Sequence, residues 1–236
     1  MRRWARALAH RAGFEITRYT PRNYAHLRRL ELLRSGRVDV LLDVGAHDGS
    51  WALAARRAGF GGRIESFEPQ SAPYERLAVR ASADGRWRAH RLALSDEAGA
   101  RVLRLSPDQK SSSLLELGVQ EQVDPAFAYT GAETVQTGLL DGLDLVGAEE
   151  SGYLKADVQG HELAVLRGAE RTIRRCAAVE LELSFVPLYE GQPLAHDLMA
   201  WLAGRGFGLV AVDVSWRHPQ TGNLLAANGI FAPAQH

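Results

Sequence analysis

The stretch "VDVLLDVGAHDGSWALAARRAGF", Val38 to Phe60, begins as an apolar run, breaks at two glycines and resumes with helical spacing. Val, Leu and Leu in succession, closed by acid and glycine, make the pattern of a parallel strand buried on both faces. "SWALAARRAGF" (50–60) then sets its apolar residues at helical intervals and stops at Gly59. One strand passing through a glycine turn into one helix is the repeating unit of a doubly wound α/β sheet.

Outward from that stretch the unit recurs. "GRIESFEP" (62–69) reads as a second strand closed by Pro69, and "SAPYERLAVRASAD" (71–84) as a helix capped by Ser71 with Pro73 in its first turn. "WRAHRLALSD" (87–96) alternates as a third strand, and "RVLRLS" (101–106) as a short one at an edge or in a hairpin. Residues 107–133 carry Pro, Gly and Ser without a period and are expected to form a long loop with one helical turn, of the kind that is functional or mobile. A strand over 134–143 runs into a short helix. "YLKADVQGHELAVLRGAE" (153–170) gives a strand and then a helix over 161–175. "AAVELELS" (177–184) is a strand and "LAHDLMAWLAGRGF" (194–207) a helix; 208–214 and 224–233 are two strands too close for a helical crossover, hence an antiparallel hairpin. One doubly wound domain over 38–236, preceded by a basic helical extension over 1–37, is expected.

Composition narrows the function. The 28 basic residues balance the 28 acidic ones, so no overall field draws nucleic acid, and no nucleic-acid partner is expected. The single Cys176 excludes an internal disulfide and any cysteine-based zinc site. No apolar run approaches the roughly 20 residues of a membrane span, and the N-terminus lacks the apolar stretch of a signal peptide, so a cytoplasmic protein is expected. Residues 1–34 hold nine arginines and two glutamates among Trp4, Leu8, Phe14, Ile16, Leu27, Leu30 and Leu33. The pattern predicts two short amphipathic helices broken near Pro21. They are read as a cap on the main sheet, with a weak anionic-membrane contact or a lid as the functional alternatives.

In such sheets ligands bind beyond the carboxyl ends of the strands. The first strand ends in "DVGAHDGS", where Gly45 and Gly49 allow close backbone approach. The turn lacks the three glycines of a dinucleotide fingerprint, and no Gly-Lys-Ser/Thr follows, which excludes a P-loop. Glu68, 23 residues beyond Gly45, is placed to accept from ribose hydroxyls. Leu94, Ser95 and Asp96 at the third strand end suit an adenine ring. Lys155, Asp157, His161 and Glu162 crowd the fourth, in a chain with only two lysines, Lys110 and Lys155.

Taken together, "LLDVGAHDGSWALAARRAGFGGRIESFEP", "ALSD", "SSSL", "LKADVQGHELAVLRGA" and "VELELSFVPLYEGQP" resemble the FkbM family of S-adenosylmethionine-dependent methyltransferases, in order from about Val38 to Pro233. The family pattern is close to Lys-x-Asp-Val-Glu-Gly-x-Glu. Gln159 departs from it, and His47 stands where asparagine is usual. The resemblance implies a class I (Rossmann-like) methyltransferase fold, a mostly parallel seven-stranded sheet with a C-terminal antiparallel hairpin. It implies S-adenosyl-L-methionine as cofactor, with Asp43 near the methionine amino group and Gly45, Ala46, His47 and Gly49 toward its carboxylate end. Glu68 and Pro69 would meet the ribose, Leu94 and Ser95 the adenine, and Ser112, with Ser113, would close over the cofactor. Asp157 would stand beside the transferred methyl. The implied acceptor is a small molecule or glycan with a free hydroxyl, on a sugar, glycoconjugate or natural-product scaffold.

An alcohol acceptor must lose its proton as the new bond forms. Asp157 is preferred for that task over His161, with Glu162 orienting the hydroxyl or the histidine. Lys155 is expected to pair with Asp157 or with a carboxylate on a neighbouring strand. Asp157, Glu162, Glu180 and Glu182 could instead ligate magnesium, but structural ion pairing is the preferred account of these acids, and no metal is assigned. The competing classes are a nucleotide- or dinucleotide-binding enzyme and a non-catalytic partner-binding domain that keeps the fold.

Overall fold

The structure, a computed structural model, describes residues 8–119 and 127–234. The Trp4 end of the amphipathic N-terminal pattern and residues 120–126 of the long loop lie outside the described residues.

Seven strands form the main sheet: β1 (Val40–Val44), β2 (Arg63–Phe67), β3 (Trp87–His90), β7 (Gly152–Ala156), β8 (Cys176–Ser184), β9 (Phe207–Arg217) and β10 (Leu224–Pro233). Their order across the sheet is β3-β2-β1-β7-β8-β10-β9. Neighbouring pairs from β3 to β8 are parallel, and β10 runs antiparallel to both β8 and β9. The expected C-terminal hairpin is present, with the chain's last strand inserted between β8 and β9.

Period-two alternation sends the strand residues to two separate cores. Val40, Leu42 and Val44 of β1 pack with Leu154, Val179 and Leu181 against α4 (Glu162–Arg167), α5 (Glu170–Ile173) and α6 (Ala195–Ala203). Leu41, Ile64, Tyr153 and Ala178 point the other way, against α1 (Ala25–Arg34), α2 (Ser50–Arg57) and α3 (Ser71–Ser82). Burying each such side chain contributes roughly 1.5–3 kcal/mol, which is what fixes the register.

A second, three-stranded sheet was not foreseen. It has the order β4-β6-β5, with β4 Ala93–Leu94, β5 Gly99–Leu105 and β6 Gly131–Gly138. The expected single strand over 87–96 therefore divides: it leaves the main sheet at His90, and Ala93 and Leu94 pair instead with Thr137 and Gly138. Arg91 lies at the break, bonded to Ser71 Oγ and, at 2.7 Å, to Glu133 Oε1. Ser71 is accordingly the first residue of α3 rather than its cap, since its hydroxyl donates to Glu133. The helix expected over 161–175 is split at Gly168, where a Cβ would lie 2.0 Å from the Ser95 carbonyl oxygen. At the N-terminus a helical turn over residues 8–11 and α1 flank Pro21, as the arginine-rich pattern predicts for its described part.

Candidate active site

The carboxyl ends of β1 and β7 touch. Gly45 has φ of 71°, and a Cβ there would stand 1.9 Å from the Asp157 carbonyl oxygen, so a side chain at 45 would force the two ends apart. The Asp157 amide donates to the Val44 carbonyl at 3.2 Å and closes the junction.

Under the junction runs a row of charge across the sheet. Asp43, Lys155 and Glu180 are successive register partners on β1, β7 and β8. Lys155 Nζ lies 3.2 Å from Asp43 Oδ1 and donates to the carbonyls of Val44 (3.2 Å) and Gly45 (2.9 Å). Burial pushes the Asp43 carboxyl up against the pull of Lys155. Burial penalises the Lys155 ammonium too, but Asp43 and Asp157 hold it above its ordinary range. Of the pairings expected for Lys155, the one with a neighbouring strand is made. Glu180 takes both Arg29 Nη2 and Nε (2.7 Å for Nε) and the Tyr153 hydroxyl (2.6 Å), which ties α1 to the sheet.

Above the junction two clefts share a wall. The first is lined by Gly45, His47, Glu68, Pro69, Asp157 and His161, with an apolar slot of Leu92, Ala93, Leu94, Leu103 and Leu114. Glu68 accepts from the amides of His47 (2.8 Å) and Gln70 (2.9 Å). Burial raises its carboxyl to about 7 despite those two bonds. His47, whose φ is 50°, keeps a buried Nε2 without a hydrogen-bond partner among the described residues. Burial and the nearby Arg76 and Lys110 hold it below its ordinary pKa, against Asp48. His161 meets Ser95 Oγ at 2.9 Å, and burial with Arg101 lowers its pKa as well, so it stands neutral at the apolar end of the cleft.

The second cleft is lined by Gly45, Ala46, His47, Asp48, Ser50, Trp51, Lys110, Lys155, Asp157 and Gln159. Gly45, His47, Lys110, Asp157 and Gln159 thus face both. Gln159 Nε2 donates to Asp157 Oδ1 at 2.7 Å and to Glu182 Oε2 at 3.1 Å.

The structure gathers most of the residues singled out in the sequence and separates some of their roles. Glu162 turns away from both clefts: its Oε1 accepts from the amides of Val158 (3.0 Å) and Gly160 (3.3 Å), and burial raises it to about 7. Asp43 is fully buried and reaches the cleft wall only through Lys155. Ser112 lines the first cleft and donates to Gln70 Oε1 at 3.3 Å, while Ser113 Oγ donates to the Gln159 carbonyl at 2.7 Å, so "SSSL" touches the residues that follow β2 and β7. Each acid weighed for magnesium has a protein partner, and no group of three metal-ligating side chains is arranged to hold an ion among the described residues. Sequence reasoning missed Trp51, Gln70 and Tyr189, which reach the site only through the tertiary fold. Lys110 carried a signal, as the second of two lysines.

Residues 43–209 match the Methyltransferase FkbM domain. The chain is 32% identical to the 31-O-demethyl-FK506 methyltransferase FkbM of Streptomyces tacrolimicus, over 82% of this chain and 80% of that one. Among solved structures, an rRNA methylase from Streptococcus thermophilus is similar at 10% identity and a TM-score of 0.46, over 90% of this chain and 98% of that one. A precorrin-6y C5,15-methyltransferase from Geobacter metallireducens is similar at 12% identity and 0.44, over 93% and 94%. Those two likenesses bear on neither activity nor substrate. With the matched region covering both strand-end loops and the Asp157 junction, the chain belongs to the FkbM family of methyltransferases.

Proposed function

We propose that the chain transfers a methyl group from S-adenosyl-L-methionine to a hydroxyl of a sugar, glycoconjugate or natural-product scaffold. The observation that carries this reading is the shared wall: two clefts meet at Asp157, one with the features of a nucleoside site, the other open beside the same carboxylate. The residues of the first cleft fit the cofactor. Glu68 is a buried carboxylate whose oxygens each retain a lone pair for ribose hydroxyls, the leucine slot suits adenine, and the orphaned His47 Nε2 awaits a polar partner. When bound, the cofactor supplies an electrophilic methyl on a sulfonium.

The chain's own residues then position and deprotonate. Lys155 pins the Val44 and Gly45 carbonyls and so fixes the loop against which the methionine end would lie. Asp157 stands where the second cleft opens and takes the proton of the acceptor hydroxyl as its oxygen attacks. His161 belongs to the adenine end and Glu162 to the loop that presents Asp157. In this reading 38–236 is the methyltransferase domain and 1–37 a helical extension. No helix among the described residues is long and apolar enough to cross a membrane.

Calorimetry with S-adenosylmethionine, with NAD as control, tests the cofactor assignment. Glu68→Ala should weaken cofactor binding about tenfold or more, through loss of charge-assisted hydrogen bonds. Asp157→Ala should change that affinity by less while lowering methyl transfer about 100-fold or more, measured with labelled methyl donor and a panel of hydroxylated acceptors. Binding of NAD in place of S-adenosylmethionine, or full turnover in the Asp157 variant, refutes the reading.

A further inference from the structure

Gln159 stands between the ends of β7 and β8 with every polar atom of its side chain engaged. Besides the bonds to Asp157 and Glu182, its Oε1 accepts from the Tyr189 hydroxyl at 2.7 Å. These neighbours fix the direction of the amide. Asp157 requires a donor, and turning the amide over would set its oxygen against that carboxylate. The backbone is equally constrained. Its φ is 54°, a left-handed conformation that costs a non-glycine residue about 1–2 kcal/mol, and its carbonyl accepts from Ser113. Such strain persists only where the surroundings over-determine it, and it clusters at functional sites.

The charges around Asp157 explain why a neutral partner matters. Lys155 on β7 and Asp43 on β1 lie below it, Glu162 begins α4, Glu182 comes from β8, and His47 and Lys110 face it across the clefts. Burial, with the negative charges of Asp157 and Glu162, holds Glu182 well above the ordinary carboxylate range. A further carboxylate at 159 would add like charge to that group, and a cation would neutralise Asp157. A carboxamide does neither. It occupies one Asp157 oxygen and leaves Oδ2 without a hydrogen-bond partner among the described residues.

We infer that Gln159 is the positioning residue of the transfer site: its carboxamide, oriented by Tyr189, ties Asp157 to Glu182 so that one carboxylate oxygen is held and the other is presented to the acceptor. The inference rests on the methyl-transfer reading for what Asp157 does, but the clamp needs no acceptor to be measured. Carbon-13 NMR of protein labelled at aspartate carboxyls, with the Asp157 signal identified by its loss in Asp157→Asn, follows the proton affinity of that one group. Gln159→Glu should raise that affinity about tenfold or more by adding like charge. Gln159→Met, which keeps the length but donates nothing, should raise it about threefold or more through the lost hydrogen bond. An Asp157 titration within twofold of the wild type in both variants, while each still melts cooperatively, overturns the inference. If Gln159→Glu does not fold, Gln159→Met decides by the same criterion. Calorimetry with S-adenosylmethionine on the unsubstituted protein judges the methyl-transfer reading separately, since a failure there leaves the titration result intact.

Discussion

Glu162 accepts from the amides of Val158 and Gly160 and, in the folded chain, keeps its proton up to about pH 7 rather than 4.5. Below pH 4.5 both folded and unfolded states hold the proton, and the group adds no pH dependence. Between 4.5 and 7 the unfolded chain releases it first, so stability falls as pH rises, by about 1.4 kcal/mol per unit and ~3 kcal/mol across the window. Glu162→Gln, neutral throughout, should lack this slope. Urea unfolding of the cofactor-free protein should show the wild type losing stability relative to the variant from pH 4.5 to 7. Parallel curves would mean that Glu162 is ionised at neutral pH. The same burial that makes the residue a poor acid–base partner for an acceptor makes it a firm brace for the loop.

At the scale of the element, α1 is bound into the site's foundation. Arg29 forks onto Glu180 and lies over the Trp51 ring, 5.5 Å from its centroid, and Trp51 lines the second cleft. Removing that cation leaves Glu180 buried beside Tyr153. Breaking a buried pair costs about 3–5 kcal/mol, and partial exposure of the guanidinium brings the expectation for Arg29→Met to ~2–3 kcal/mol in chemical denaturation. Arg29→Met/Glu180→Leu should recover part of it, and a loss under 0.5 kcal/mol in the single variant, which is about the scale of an ordinary surface substitution, would show the pair to be incidental. This coupling illustrates what the sequence conceals. The apolar run of β1, the glycine turn and the acid at the end of β2 are local patterns, so the sheet and one wall of the first cleft are legible. The pairing of Arg29 with Glu180, 151 positions apart, leaves no local trace. The same holds for Ala93 and Leu94, whose partners on β6 lie beyond an irregular loop. Gln159 could be read as a departure from a family pattern, but its role depends on Tyr189 and Glu182, which only folding brings to it.

At the scale of the molecule, the chain's last strand lies inside the sheet. β10 pairs on one side with β8 and on the other with β9, and Ala226, Ala227, Ile230 and Phe231 are buried. A chain ending at Asn223 should therefore strip β9 of its one strand partner, bare the edge of β8 and lose cooperative thermal unfolding altogether. A normal melting transition by circular dichroism would contradict the interior placement. The scarcity of lysine has a whole-molecule consequence too. Of the two ε-amines in the chain, Lys155 is buried in the wall of the second cleft and bonded to the Val44 and Gly45 carbonyls, and Lys110 stands exposed on the rim where the clefts meet. Among side chains, an amine-directed reagent therefore finds its one open target where the two clefts meet, and a single covalent tag reports whether that mouth is covered.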